Sequence, residues 1–393
     1  MTKRRSLGSV RNIGKDRWLV QVSGGIDADG RRVRLTRRVH GSETDAERVK
    51  GELLAEVDDG HLHLQGSLDL QTYLQTRWLP YKKAKGGSPL TYLNYESKIR
   101  NHVLPYSIAR LELAKISPFA VDQWLTKLRG SKGKRGALSE QTLLHVFATL
   151  RAAMRQAIVW RLITFDPTSA VEAPHPDRYR GHTLTADQAL QIIEACQTRE
   201  LGAAHAIALG AGLRRGEVAG LAWSDFQFGD RTLISVNRQV IEVPGAGALL
   251  RPPKTRESNG TMLLPGWCVE IVRAHELKSK EQRLATGLRP APGIPDLLFL
   301  DRDGHPIPPQ RLSKDFRIMR KELELPYMRL HDMRHGMARL MRKAGVGLDV
   351  IQQRLRHTRI TTTQYFYTDI DMDLDEQAVE RFDEILGRSS KLK

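Results

Sequence analysis

LHDMRHGMARLMRKAGVGLDVIQQRLRHTRITTTQYFYT, residues Leu330 to Thr368, carries the pattern on which this chain turns. His331 and Arg334 stand one helical turn apart, so a helix presents both on one side. His357 follows, and Tyr367 comes ten residues after it, with Tyr365 close by. An acid-base imidazole, fixed cations and a phenol are the parts that nucleophilic attack on a phosphodiester requires. The rest of the chain reads as parts that bring a polyanion to that phenol.

Composition points the same way. The chain has 393 residues, room for two or three domains, and 40% hydrophobic residues to build their cores. Its formal net charge is +17. Such an excess fits a polyanionic partner, nucleic acid before a membrane surface. The charge is uneven. Residues 75–180 hold 18 basic against 7 acidic side chains, a net +11, while residues 1–60 hold 13 against 10, a net +3. The second quarter is therefore expected to lie along phosphates. Cys196 and Cys268 are far apart and outside any metal spacing, which argues against a disulfide scaffold and for a reducing cytosol. The basic N-terminus has no apolar run behind it, and no stretch approaches the ~18 apolar residues of a membrane helix. A cytoplasmic protein is the expectation.

Taken in order, residues 8–58 read as a small β-sheet followed by a helix. Arg17–Ser23 and Arg31–Val39 alternate apolar and polar residues around an Asp27–Gly30 turn, and a helix spans about Thr44–Asp58. Arg31, Arg32, Arg34, Arg37 and Arg38 make both faces of the second strand basic. Either this strand is solvated, or the sheet lies in a nucleic-acid groove with Arg31, Arg34 and Arg37 among its contacts. Gly8–Lys15 resembles a phosphate loop, but its glycines are one residue too far apart and Asp16 replaces the magnesium-binding hydroxyl. It is discarded. His61 and His63 lack further metal ligands and belong to a linker. Residues 68–175 read as helical: Leu68–Tyr81, Thr91–Val103, Pro118–Leu128, and a helix from Ser139 to about Trp160. The loop Arg129–Gly136 is glycine-rich and basic; with Lys132, Lys134 and Arg135 it is either a phosphate-binding flap or a solvated hinge. After a proline-rich boundary, Thr185 with Gln188 opens a capped helix. Beyond it come helices with one short sheet, Thr232–Val243 and Thr261–Leu264.

Four islands in the second half carry the chemistry. They are Ala211–Asp225 with Arg214 after a Gly-Leu turn, Lys254 near a strand, His331-Asp-Met-Arg334-His335, and His357 through Tyr367. On these residues the chain resembles the tyrosine recombinases, the phage-integrase family. That family's pattern is Arg in a Gly-Leu-Arg-x-Gly-Glu context, a strand Lys, His-x-x-Arg, a His or Trp, and a Tyr, and all occur here in order. The resemblance extends to the helical unit, similar to a core-binding domain, and to the N-terminal sheet and helix, similar to an arm-binding domain.

The resemblance implies a multidomain, mainly α chain with small β-sheets. Residues 1–60 would form an arm-type DNA-binding domain, a three-stranded sheet plus helix. Residues 65–175 would form the core-binding helices, 176–183 a linker, and 184–393 the catalytic domain with its C-terminal helix. It also implies the roles. Arg214 and Arg334 would stabilise the negative charge that in-line attack builds on the phosphate, each contact contributing about 3–4 kcal/mol. His331 would act as general base or proton carrier, and Lys254 would protonate the leaving 5′ oxygen. His357 would donate a hydrogen bond, and Tyr367 would attack to form a 3′-phosphotyrosine, without metal, ATP or other cofactor. Family spacing selects Tyr367 over Tyr365, and Arg214 over Arg215, which would face elsewhere. Glu217 is either a residue that orients an arginine or the helix turn, or a helix N-terminal charge; His335 is either a supporting contact or a packing residue. Double-stranded DNA attachment sites of core and arm type and a homotetramer on that DNA are the implied partners. A DNA-bending host factor and an excisionase are further partners the family uses.

Two departures stand out: Arg356 replaces the glycine usual before the second His, and Asp369 replaces a frequent His. Arg356 either adds a phosphate contact or shifts the loop. Two readings outside the recombinases compete. A type IB topoisomerase-like enzyme would cleave without synapsis, and a silent DNA-binding regulator would not need all six residues. A zinc site at His331 and His335 is disfavoured by Arg334 beside it and by the lack of a third ligand.

Overall fold

A computed structural model describes residues 8–26, 32–58, 68–133, 136–177, 184–253 and 260–356. Lys254, His357, Tyr365 and Tyr367 lie outside these residues, as do Arg31, Lys134, Arg135 and the expected C-terminal helix. The chain is mainly helical with small antiparallel sheets, the class expected, and divides into two compact units, residues 1–178 and 179–393.

In the first unit, β1 (Gly8–Gly14), β2 (Arg17–Ile26) and β3 (Arg32–His40) form an antiparallel sheet in that order. Helix α1 (Glu43–Asp58) lies on one face, burying Ala46, Val49 and Leu53 against Val20 and Val22. The discarded phosphate loop is thus strand β1. Register separates the basic residues of β3. Arg37 pairs with Val20, on the helix-covered face, whereas Arg34 pairs with Ser23, on the open one. Both side chains are exposed, yet one flat surface does not present them together.

The helices follow with a core of their own. Helix α2 (Leu70–Tyr73) runs through a π-helical turn, Leu74–Trp78, into α3 (Leu79–Ala84), three residues past the expected end. Then come α4 (Pro89–His102), α5 (Pro118–Arg129) and α6 (Glu140–Val159). Proline opens α4 and α5, where its missing N–H is harmless, and Ser139 caps α6 by accepting the Thr142 N–H. Tyr73, Trp78, Trp124, Phe147 and Met154 fill the core, and the Tyr73 hydroxyl donates to the Ala153 carbonyl at 2.7 Å. The basic loop is pinned at its base: β4 (Lys132–Gly133) pairs with β5 (Gly136–Ala137).

The second unit opens with α7 (Ala186–Thr198), whose Thr185 and Gln188 form the expected reciprocal cap. Helix α8 (Gly202–Gly210) is apolar apart from His205, whose ring bonds the Asp315 carboxylate at 2.7 Å, and every residue in it is buried. Helix α9 (Arg215–Ala219) follows. Strands β6 (Phe226–Gln227), β7 (Leu233–Val236) and β10 (Gly260–Leu263) make one sheet, ordered β10-β7-β6. The expected strand Thr232–Val243 is two strands. Asn237 and Arg238 break it by turning to the buried Asp225 carboxylate, at 3.0 and 2.6 Å. After the break, β8 (Gln239–Val243) pairs instead with β9 (Gly247–Arg251), a hairpin the sequence reading missed. Helices α10 (Gly266–Thr286), α11 (Pro309–Glu322), α12 (Leu330–Lys343) and α13 (Leu348–Leu355) complete the described part, with α7, α10 and α12 packed on α8.

Candidate active site

The site is built on the turn that leaves α8. Gly212 has φ +63°, a left-handed turn that glycine adopts without strain, and a Cβ there would stand 2.4 Å from the end of the Met337 side chain and push it aside. That turn delivers Arg214 as the N-cap of α9. Lacking a side-chain acceptor, Arg214 cannot cap the helix itself. Glu217 does so by reaching back: its Oε2 accepts the Arg214 backbone N–H at 2.9 Å, and its Oε1 accepts the Arg214 guanidinium at 2.9 Å. Arg214 keeps a side chain 40% exposed, whereas Glu217 is 3% exposed. Arg215 turns away and donates to Ser313 at 3.2 Å. Gly216 permits the close approach of α9 to β8, since a Cβ would stand 2.7 Å from the Val240 carbonyl oxygen.

Helix α12 supplies the second group, and its start repeats the device. The Asp332 carboxylate accepts the Arg329 backbone N–H at 2.7 Å and also pairs with the Arg329 guanidinium at 2.9 Å. Helical spacing then places Leu330, Met333 and Met337 inward with Arg334 among them. Arg334 is 1% exposed, and its guanidinium donates to the carbonyls of Gly212 and Leu355. One buried cation thus ties the Arg214 turn to the end of α13. His331 lies at the surface, one turn before Arg334, with its ring edge-on to His335 at 5.1 Å between centroids. Protein crowding around the ring, then the charge of Arg334, hold the His331 pKa below the ordinary imidazole value.

The third group is the end of α13. Arg354 donates to the carbonyls of Gly210, at 2.7 Å, and Leu263, at 3.0 Å, joining the end of α8 to β10. Arg356 is buried and donates to Glu217 Oε2 at 2.6 Å. This carboxylate partner was not among the readings the sequence offered for it. Burial pushes the Glu217 carboxyl up, but Arg356 first and Arg214 next outweigh that and hold it below the usual range. Of the expected residues, Arg214, Glu217, His331, Arg334 and His335 come together in this cluster. Lys254 falls between β9 and β10, and His357 directly follows Arg356, both outside the described residues. Sequence reading missed Arg354 and, as a partner of Glu217, Arg356. The one signal for Arg356 was its presence where glycine is usual.

Among the described residues no three His, Cys, Asp or Glu side chains gather to hold a metal, and no helix is long and apolar enough to cross a membrane. A cavity of about 910 Å³, lined by Arg199, His275, Arg283 and Arg311 among others, shares no residue with this cluster.

Residues 182–373 match the model of the phage integrase family, and residues 72–129 match that of the phage integrase N-terminal SAM-like domain. The chain belongs to the phage integrase family of tyrosine recombinases. A tyrosine recombinase XerC-like protein of Caldanaerobacter subterraneus subsp. tengcongensis is 24% identical over 396 residues, covering 96% of this chain and 98% of that protein. The Tn1549 transposon integrase in complex with transposon right end DNA has a similar fold, with TM-score 0.67, 22% identity and coverage of 80% of this chain and 99% of that one. A lambda integrase tetramer bound to a Holliday junction aligns at TM-score 0.53 and 21% identity over 93% of this chain and 96% of that one. As a member of the family the chain is an enzyme, and the buried cluster around Arg334 falls within the matched catalytic segment.

Proposed function

We propose that this chain is a site-specific DNA recombinase that cuts and rejoins duplex DNA through a phosphotyrosine on Tyr367. The observation that carries the proposal is the junction at Arg334, which binds the Arg214 turn and the end of α13 to one helix. Residues far apart in sequence thereby meet around one locus of positive charge. In the reaction the Tyr367 oxygen attacks phosphorus and the bond to the 5′ oxygen breaks. Charge builds on the two non-bridging oxygens. The exposed guanidinium of Arg214 binds them directly, and Arg334 adds its charge from within the fold while holding the turn in place. His331, neutral because its pKa is depressed, takes up or carries the phenolic proton. Lys254 gives a proton to the leaving 5′ oxygen, and His357 hydrogen-bonds the phosphate. The 3′-phosphotyrosine conserves the bond energy, so a 5′ hydroxyl from a second duplex can reverse the step without ATP or metal.

Arm-type contacts from residues 1–60 and core contacts from 65–175 would hold the DNA, with 176–183 as linker and 184–393 as the catalytic domain. Four protomers would exchange strands pairwise through a four-way junction, as the neighbour's tetramer on a Holliday junction suggests. DNA-bending and excisionase partners belong to the same reading.

The test incubates the protein in EDTA with plasmid carrying the DNA that flanks its own coding sequence. Covalent protein–DNA adduct is then isolated under denaturing conditions and its linked residue mapped by mass spectrometry. Attachment at Tyr367, lost in Tyr367→Phe, is the expected result. Activity that needs a divalent metal, or binding without adduct, would overturn the reading. Relaxation of plasmid lacking the flanking DNA would favour a topoisomerase instead.

A further inference from the structure

Arg356 occupies a position its backbone does not favour. As the C-cap of α13 it has φ 52° and ψ 47°, a left-handed conformation that suits glycine and that a Cβ makes costly. Its guanidinium is also taken out of water, with side chains of Arg356 and Glu217 only 5% and 3% exposed where they meet. A buried ion pair of this kind is weak support for stability, because desolvation offsets the attraction. Fold stability therefore does not account for an arginine here.

Its partner does. Glu217 is bonded on both oxygens: Oε1 by the Arg214 guanidinium, Oε2 by the Arg214 N–H and by Arg356. With Arg214 as its sole counter-charge, Glu217 would offset the charge of an arginine whose side chain reaches solvent. Arg356 supplies a second positive charge, so the trio remains a net cation and the charge lies where Arg214 reaches solvent. The side chain also packs at the start of β10, 3.4 Å from where a Cβ on Gly260 would stand, and its backbone leads straight to His357.

We propose that Arg356 is a positioning residue: it balances Glu217, so that the carboxylate does not offset Arg214 and the Arg214 guanidinium stays oriented for the scissile phosphate. The inference rests on the recombinase reading above, in which Arg214 meets that phosphate.

The test compares wild type, Arg356→Gly, Arg356→Lys, Arg356→Gln and the double variant Arg356→Gly with Glu217→Gln, all full-length. Adduct formation on the flanking-DNA plasmid, dissociation constants for the same DNA and Tm are measured for each. Glycine relieves the backbone but leaves the buried Glu217 one counter-charge fewer, so Arg356→Gly is expected to lower Tm and, at a temperature where it stays folded, to bind DNA within about threefold of wild type. Its adduct should form about 10- to 100-fold more slowly, the size expected for weakening one preorganised cation. Lysine should recover most of the rate and glutamine little. Removing the carboxylate charge in the double variant should restore about tenfold over Arg356→Gly, which a packing role would not do. If Arg356→Gly fails to fold, the lysine and glutamine variants decide: equal rates overturn the proposal. It is likewise overturned if Arg356→Gly reacts at the wild-type rate, or if the double variant is no faster than the single. Absence of adduct from wild type would overturn the recombinase reading and this inference with it; wild-type adduct alongside unaffected variants would overturn this inference alone.

Discussion

On the proposed mechanism, Arg214 and His331 are the described residues whose surroundings would bear most directly on rate. Arg214 has a buried carboxylate behind it and solvent in front, the arrangement of a cation held ready for an anion. Arg214→Ala is expected to slow adduct formation about 10²- to 10³-fold while changing DNA affinity far less, because the contact is strongest in the transition state. Single-turnover cleavage and a gel-shift titration separate the two quantities. Lysine at 214 should recover little, since it lacks the planar fork. On the proposed mechanism His331 would govern the acid limb of the pH profile. Crowding and Arg334 depress its pKa, so the neutral base already predominates at the ordinary imidazole value of 6.5 and is lost as pH falls through the depressed one. Adduct rate should therefore reach its half-point below pH 6.5. A half-point above 6.5 would contradict the assignment, and His331→Ala should remove that limb.

The helices hold these groups through their ends. Two short-range devices recur, at Arg214 with Glu217 and at Arg329 with Asp332, where an acid three residues into a helix caps the N–H of an arginine and also pairs with its side chain. The usual serine, threonine or asparagine cap is absent at both, so sequence patterns for helix starts pass over them. The turn between α8 and α9 depends on backbone freedom instead. Gly212→Ala forces a left-handed alanine and drives its Cβ towards Met337, so it is expected to destabilise the chain by about 1–3 kcal/mol. Because Arg334 bonds the Gly212 carbonyl, the variant should also slow cleavage beyond its loss of stability. Chemical denaturation and cleavage at a temperature where the variant remains folded test both parts; an unchanged midpoint would refute the strain argument.

For the whole molecule the governing quantity is charge. Residues 75–180 hold a net +11 of the total +17, against +3 for residues 1–60. If DNA affinity follows phosphate neutralisation, log Kd should vary linearly with log salt. A chain lacking residues 1–60 should keep most of that slope. This deletion removes a sheet and helix with their own core, Val20, Val22, Ala46, Val49 and Leu53, which contributes nothing to the core of the helices that follow. A slope cut by half or more would place the main phosphate contacts in the N-terminal sheet.

The mainly helical class, the helices over 68–175 and the cap at Thr185 were all legible in the sequence, because periodicity and caps are local. The opposite facing of Arg34 and Arg37 was legible too, since a separation of three inverts a strand residue. What only the tertiary structure decided was who meets whom. Arg356 and Glu217 are 139 residues apart, and Arg334 and the Gly212 carbonyl 122. The strand expected over Thr232–Val243 gave way for a similar reason: the buried Asp225 carboxylate needed partners, and Asn237 and Arg238 supplied them at the expense of the ladder. A buried charge must be satisfied wherever the fold puts it, and that demand is set by the packed chain rather than by its local pattern.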